Sequence, residues 1–172
     1  MTIIEDTGQK IGQHDNIAEY CKEHGITIRR QKLITGDYCL PPQWSIDTKK
    51  GMAEVYSDIV NDHERFRNEC IRAQEDGTRL IILIEDEEIR NMEMAKSWKN
   101  PRQKKWEHDY AFISRAQEKG KMLNHKIPKP PVSSERLVGM MEAMTMKYGV
   151  IWSFCRPNET GREICTFLAK WR

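Results

Sequence analysis

The sequence predicts an α/β protein, a central mixed β-sheet flanked by helices. Three observations carry this. Residues 79–84, Arg-Leu-Ile-Ile-Leu-Ile, form a short apolar run between Asp76-Gly77 and an acidic run at residues 85–88. That is the pattern of a strand buried on both faces. Before it, Val55, Ile59, Phe66, Cys70 and Ala73 recur at helical spacing over residues 52–73. Helical stretches on both sides of the buried strand imply a βαβ unit in a mixed sheet.

The remaining elements follow in chain order. Residues 2–6 read as a buried first strand ending in Glu5 and Asp6. Residues 15–23 are helical, with Ile17, Tyr20 and Cys21 on one face and Gly25 as the stop. His14 and His24 flank that helix as surface or capping residues. Residues 26–35 are expected as a strand, with Ile26, Ile28 and Leu33 facing a core. Asn61-Asp62-His63 should break or bend the helix over 52–73. Around residues 102–119 a further helix either packs Trp106, Tyr110 and Ile113 on the domain or offers aromatics for stacking on unpaired bases. Residues 127–131, Ile-Pro-Lys-Pro-Pro, form a stiff extended connector. A helix over 133–147, opened by Ser133 or Ser134, carries an apolar stripe of Leu137, Met140, Met141 and Met144. A strand over 150–155 and a helix over 160–171, with Ile164, Phe167, Leu168 and Trp171 on its apolar side, close the chain.

Composition bounds the function. With 172 residues the chain fits one domain, 1–172, large enough for a single core. No apolar run approaches a membrane span, and the first residues are not a signal peptide. Five cysteines, odd in number and without CxxC spacing, indicate small core residues in a reduced compartment and no zinc site. The net charge is +2, but residues 96–129 hold ten Lys or Arg against three acids. The rest of the chain is therefore net acidic, and this basic segment is a candidate phosphate-binding surface.

The chemistry centres on residues 36–49. Asp37 follows Gly36 at the end of a strand, a loop passes through Pro41-Pro42, and a second strand spans residues 44–49. Strand side chains alternate with period two, so Asp47 and Lys49 share one face and Ile46 and Thr48 the other. The Gly-Asp step brings Asp37 beside them. Two carboxylates and a lysine suit Mg²⁺, a hard cation that takes oxygen ligands and keeps several waters. Such a metal polarises a phosphoryl group and acidifies water, while the lysine orients that water or offsets transition-state charge.

Asp, then Asp-x-Lys, resembles the PD-(D/E)xK nuclease superfamily. The ordered set Ile3-Ile4-Glu5-Asp6-Thr7, Gly36-Asp37-Tyr38 and Ile46-Asp47-Thr48-Lys49 is similar to the XPF-type nuclease domain of DNA repair and recombination. Residues 62–67 and 147–150 resemble its compact bacterial and phage forms. The likeness covers roughly residues 1–90 and 134–170, leaving a basic insertion around 92–131. It implies a restriction-endonuclease-like fold and a Mg²⁺- or Mn²⁺-dependent endonuclease acting on branched, flapped or nicked DNA. The implied catalytic set is Asp37, Asp47, Lys49 and Asp6. Metal ligands would be Asp37, Asp47 and the Thr48 backbone carbonyl, with Glu54 as an additional candidate. Glu54 reads more readily as a solvated helix-start carboxylate favoured by the dipole. Arg65, Arg67, Lys99, Arg102, Lys104 and Lys105 are candidate DNA contacts, and His63 is a candidate support for the site. Homodimerisation and a cytoplasmic setting, in a bacterial or phage-infected cell, are also implied. One departure stands out. Relatives carry Asp-x-Arg-Glu where this chain has Asp6-Thr7-Gly8-Gln9, so Gln9 would meet substrate where they have an acid. A nuclease-fold module that binds DNA or protein without cutting is the main alternative, and an RNA or single-strand substrate is the second.

Overall fold

The computed structural model describes residues 1–12, 15–40, 44–120, 126 and 129–170. His14, the Pro41-Pro42 loop, Lys121, Ile127, Pro128 and Trp171 lie outside the described residues. Six strands form one mixed sheet: β1 (Thr2–Glu5), β2 (Thr27–Arg30), β3 (Tyr38–Leu40), β4 (Trp44–Lys49), β5 (Arg79–Glu85) and β6 (Ile151–Cys155). Their order is β2-β1-β3-β4-β5-β6. β3 runs antiparallel to both β1 and β4, whereas the β1–β2, β4–β5 and β5–β6 pairs are parallel.

The apolar run at 79–84 is the interior strand β5. Leu80, Ile82 and Ile84 face a core built with α2 (Met52–Tyr56), α3 (His63–Glu75) and α6 (Ser134–Tyr148). Ile81 and Leu83 face the opposite core, with α1 (Asp15–Glu23) and α7 (Thr160–Lys170). Burial on both faces explains why β5 lacks the polar alternation of a half-exposed strand. Between α3 and α6 come the short α4 (Met92–Ala95) and the long α5 (Pro101–Glu118). Asn100 caps α5, and Ser133 caps α6 by accepting from the Arg136 N–H at 3.3 Å.

Two elements depart from expectation. The strand expected over 26–35 ends at Arg30, because β1, its pairing partner, ends at Glu5. Gln31 N makes a last bond to the Glu5 carbonyl at 3.0 Å. Leu33 N then turns to the Asp6 carboxylate at 2.8 Å, so residues 31–35 become a loop. The helix over 52–73 is broken as Asn61-Asp62-His63 suggested, but the break begins earlier. A π-helical turn, Ser57–Asn61, sits between α2 and α3. Among the described residues no helix is long and apolar enough to cross a membrane. Cys21, Cys70, Cys155 and Cys165 are buried, and all five thiols are free.

Candidate active site

The site forms where β4 leaves the sheet interior and the helical segment after it folds back. Every residue of β4 is buried. Gly36 precedes Asp37 with a φ of 71°, a left-handed conformation that glycine adopts without a Cβ penalty. A Cβ there would overlap Ser45 Oγ and lie 3.0 Å from the Ile46 carbonyl oxygen. The chain therefore presses flat against β4, and Asp37 N bonds the Ile46 carbonyl at 2.7 Å. This close approach delivers the Asp37 carboxylate to β4. Its Oδ2 accepts from the Thr48 N–H at 2.9 Å and from the Thr48 hydroxyl at 2.6 Å. Its Oδ1 accepts from the Gln9 amide.

Asp47 and Lys49 share a face, as the period-two pattern requires. Lys49 Nζ lies 2.8 Å from Asp47 Oδ2 and 2.9 Å from Asp58 Oδ2. Both oxygens are buried and neither has an aligned hydrogen-bond donor, so these are charge contacts. Burial pulls the Lys49 pKa down, but Asp47 and Asp58 outweigh it and raise it above its usual value. Lys49 is therefore a fixed cation. Burial drives the Asp47 pKa well above the carboxylate range; Lys49 opposes this, and the charges of Asp37 and Glu69 reinforce it. Several carboxylates thus converge with too little positive charge among them.

Asp37, Asp47 and Lys49 line a cleft of about 590 Å³ together with Asp6, Gln9, Glu54, Arg65 and Glu69. Among the described residues no three His, Cys, Asp or Glu side chains form a metal-holding group. The donors nonetheless fit a divalent cation. Asp47 Oδ2 is buried without an aligned donor, like charges destabilise its anion, and Mg²⁺ is commonly held by only one or two carboxylates plus water.

The other candidates separate clearly. Asp6 lines the cleft beside Asp37, and its N–H bonds the Asp37 carbonyl at 2.8 Å. Its carboxylate is already engaged by Gly8 N at 2.8 Å, Leu33 N at 2.8 Å and Lys32 Nζ at 3.2 Å. Burial acts to raise its pKa, but these donors prevail and lower it. A Cβ at position 8 would come 2.5 Å from Asp6 Oδ2, so glycine lets the chain turn close over the Asp6 carboxylate. Glu54 reaches the cleft, and its carboxylate accepts from Lys50 N at 2.7 Å. Arg65 lines the cleft and pairs with Asp58, whereas Arg67 is exposed and outside it. His63 is exposed, with Nδ1 3.2 Å from the Ile59 carbonyl. Lys99, Lys104 and Lys105 are exposed away from the cleft. Arg102 docks on the helical wall, donating to Asn61 at 3.2 Å with its guanidinium 5.3 Å from the Tyr56 ring.

Sequence reasoning missed Asp58 and Glu69. Asp58 is buried in the π-helical turn and holds Lys49 together with Asp47. Glu69 accepts from Thr35 Oγ1 and Gly36 N, both at 3.3 Å, bracing the Gly-Asp step. A signal existed. Asp58 adjoins Ile59 on the apolar stripe three residues after Val55, and Glu69 sits three residues after Phe66. An acid on a core-facing stripe needs a buried partner.

No curated protein sequence matches the chain. Solved structures do. XPF from Aeropyrum pernix is 14% identical with a TM-score of 0.60, over 100% of this chain and 66% of that one. XPF from Aeropyrum pernix in complex with DNA is 16% identical with a TM-score of 0.58, over 98% of this chain and 64% of that one. At these identities the likeness establishes the fold, which is restriction-endonuclease-like; the chain spans just under two thirds of the length of these structures. A model of the ERCC4 domain matches residues 6–167, nearly the whole chain, which therefore belongs to the ERCC4 domain family, the XPF-type nucleases.

Proposed function

We propose that the chain is a metal-dependent endonuclease that hydrolyses DNA phosphodiester bonds, with preference for branched, flapped or nicked DNA. The observation that carries this reading is the buried Asp47–Lys49–Asp58 group on the wall of an acid-lined cleft, with Asp37 anchored to the same strand. Asp37, Asp47 and the Thr48 backbone carbonyl would hold Mg²⁺ or Mn²⁺, with Glu54 available at the cleft. When bound, such a cation supplies Lewis-acid polarisation of the phosphoryl group and acidifies water.

The side chains define the rest of the chemistry. Lys49 keeps its proton, so it acts as a fixed positive charge rather than a base. It orients the attacking water and offsets charge developing on the phosphoryl oxygens. Two carboxylates hold its ammonium in place, which limits reorganisation during the reaction. The Gln9 amide and the two Thr48 donors fix the Asp37 rotamer. Asp6 holds the turn at residues 6–9 through the Gly8 and Leu33 N–H groups, is balanced by Lys32, and completes the acid cluster at the cleft. Arg65, at the cleft, offers a phosphate contact; the exposed cations of residues 99–105 hold flanking backbone, so binding falls steeply with salt.

Residues 1–172 act as one nuclease domain with a basic insertion around 92–131, working in DNA repair or recombination. One site per chain nicks, and cutting both strands takes two chains or two events. Gly8 and Gln9 favour one alternative, a nuclease-fold module that binds without cleaving. Wild type, Asp47→Ala and Lys49→Ala are compared on plasmid and labelled forked DNA with Mg²⁺, Mn²⁺ or EDTA. Cleavage abolished by EDTA and by both substitutions upholds the nuclease. DNA binding with no cleavage under any metal assigns the binding module instead.

A further inference from the structure

We infer that the outer face of α5 binds an unpaired nucleic-acid strand, with its phosphates along a basic stripe and a base stacked on Phe112. The inference rests on the nucleic-acid reading above but concerns residues that the catalytic argument does not use. At 3.6 residues per turn, Lys104, Lys105, His108, Phe112, Arg115 and Lys119 fall within an arc of about 100°. All six are exposed. The acids Glu107, Asp109 and Glu118 project outside that arc. His108 Nδ1 lies 3.4 Å from Asp109, while no ion pair engages the four Lys and Arg among the described residues. The stripe runs about 22 Å along the helix from Lys104 to Lys119, enough to follow several phosphates.

Phe112 is the decisive feature. It is 60% exposed in the middle of the stripe, while Ile113, the next residue, is the one buried side chain of α5. An exposed aromatic ring among lysines offers an unpaired base a stacking surface and leaves the phosphates to the cations. A duplex hides its base faces and gains nothing from the ring. The stripe also begins two residues beyond the contact that ties α5 to the helical wall of the site. Arg102, at the root of α5, bonds Asn61 and lies over Tyr56, both in the helical wall that carries Asp58.

The test measures binding of the whole chain in EDTA, which separates it from cleavage. Probes are a labelled oligothymidylate, a duplex of equal length and heparin, a polyanion without bases. Variants are Phe112→Ala, Phe112→Trp and Arg115→Glu/Lys119→Glu, each checked for an unchanged melting temperature. We expect Phe112→Ala to weaken oligothymidylate binding about 5- to 100-fold, with duplex and heparin binding unchanged. Phe112→Trp should restore wild-type affinity or better, and the double charge reversal should weaken all three. Unchanged oligothymidylate binding by Phe112→Ala overturns the inference. So does an equal loss on all probes, which would make the face a general polyanion surface. Metal-dependent cleavage by the Phe112→Ala chain would leave the nuclease reading intact in either case.

Discussion

Replacing Lys49 with methionine tests the central group most directly. The side chain is 8% exposed, and methionine roughly keeps its length while removing the charge. At an effective dielectric of about 20, one charge pair near 3 Å is worth about 5 kcal/mol before desolvation. Lys49 serves two such pairs, at 2.8 and 2.9 Å. Its desolvation offsets much of that gain in the wild type, but the variant leaves two buried carboxylates uncompensated. Breaking a buried pair in this way costs about 3–5 kcal/mol. At about 2–4 °C per kcal/mol for a chain of this size, the melting temperature should fall by about 6–20 °C at pH 7 in EDTA. The loss should shrink on acidification, because Asp47 can take up a proton in place of its partner. Thermal unfolding followed by circular dichroism, with EDTA and with Mg²⁺ or Mn²⁺, measures both effects. Divalent ion should raise the melting temperature of the variant more than that of wild type, since the cation replaces the missing charge. A variant that melts within about 2 °C of wild type at pH 7 would refute the buried-charge argument.

Other outcomes follow from the same geometry. Gly36→Ala combines a left-handed backbone with overlap on Ser45 Oγ, so it should cost about 1–3 kcal/mol and weaken divalent-ion binding by displacing Asp37; calorimetric titration and denaturant unfolding read the two effects. The raised Asp47 pKa means that the folded state binds the extra proton, so metal-free stability should fall as pH rises from about 3.8 through the folded pKa. Divalent ion should remove that fall, because binding displaces the proton; melting curves across pH with and without Mg²⁺ decide it. Asp6 has the opposite sign: its contribution is present above 3.8 and lost as pH falls through its lowered pKa. Burial first, then neighbouring carboxylates, pushes the Cys70 thiol up to about 12, and burial pushes Cys165 to about 12 and Cys155 to about 11. A thiol-reactive disulfide reagent should therefore label only the half-buried Cys39 readily in the native protein and all five thiols in denaturant.

The sequence by itself determined the elements whose pattern is local. Residues 79–84 announced a doubly buried strand because both neighbouring layers require apolar side chains. The period-two rule placed Asp47 and Lys49 on one face, and the Gly36-Asp37 step brought Asp37 beside them. What the sequence could not rank was the cost of burying charge. Asp6 and Asp58 look alike as letters, but only folding assigns Asp6 to backbone donors at residues 8 and 33 and sets Asp58 against Lys49. That assignment depends on a π-helical turn, which re-aims the residues after Tyr56 and has no periodic signature. The shortened β2 was settled in the same way, since a strand ends where its partner ends. Local pattern fixes which face a side chain takes. Which charge it meets there is decided by segments distant in the chain, and it is these meetings, of residue 9 with 37, 37 with 48, and 49 with 58, that make the cleft a candidate site.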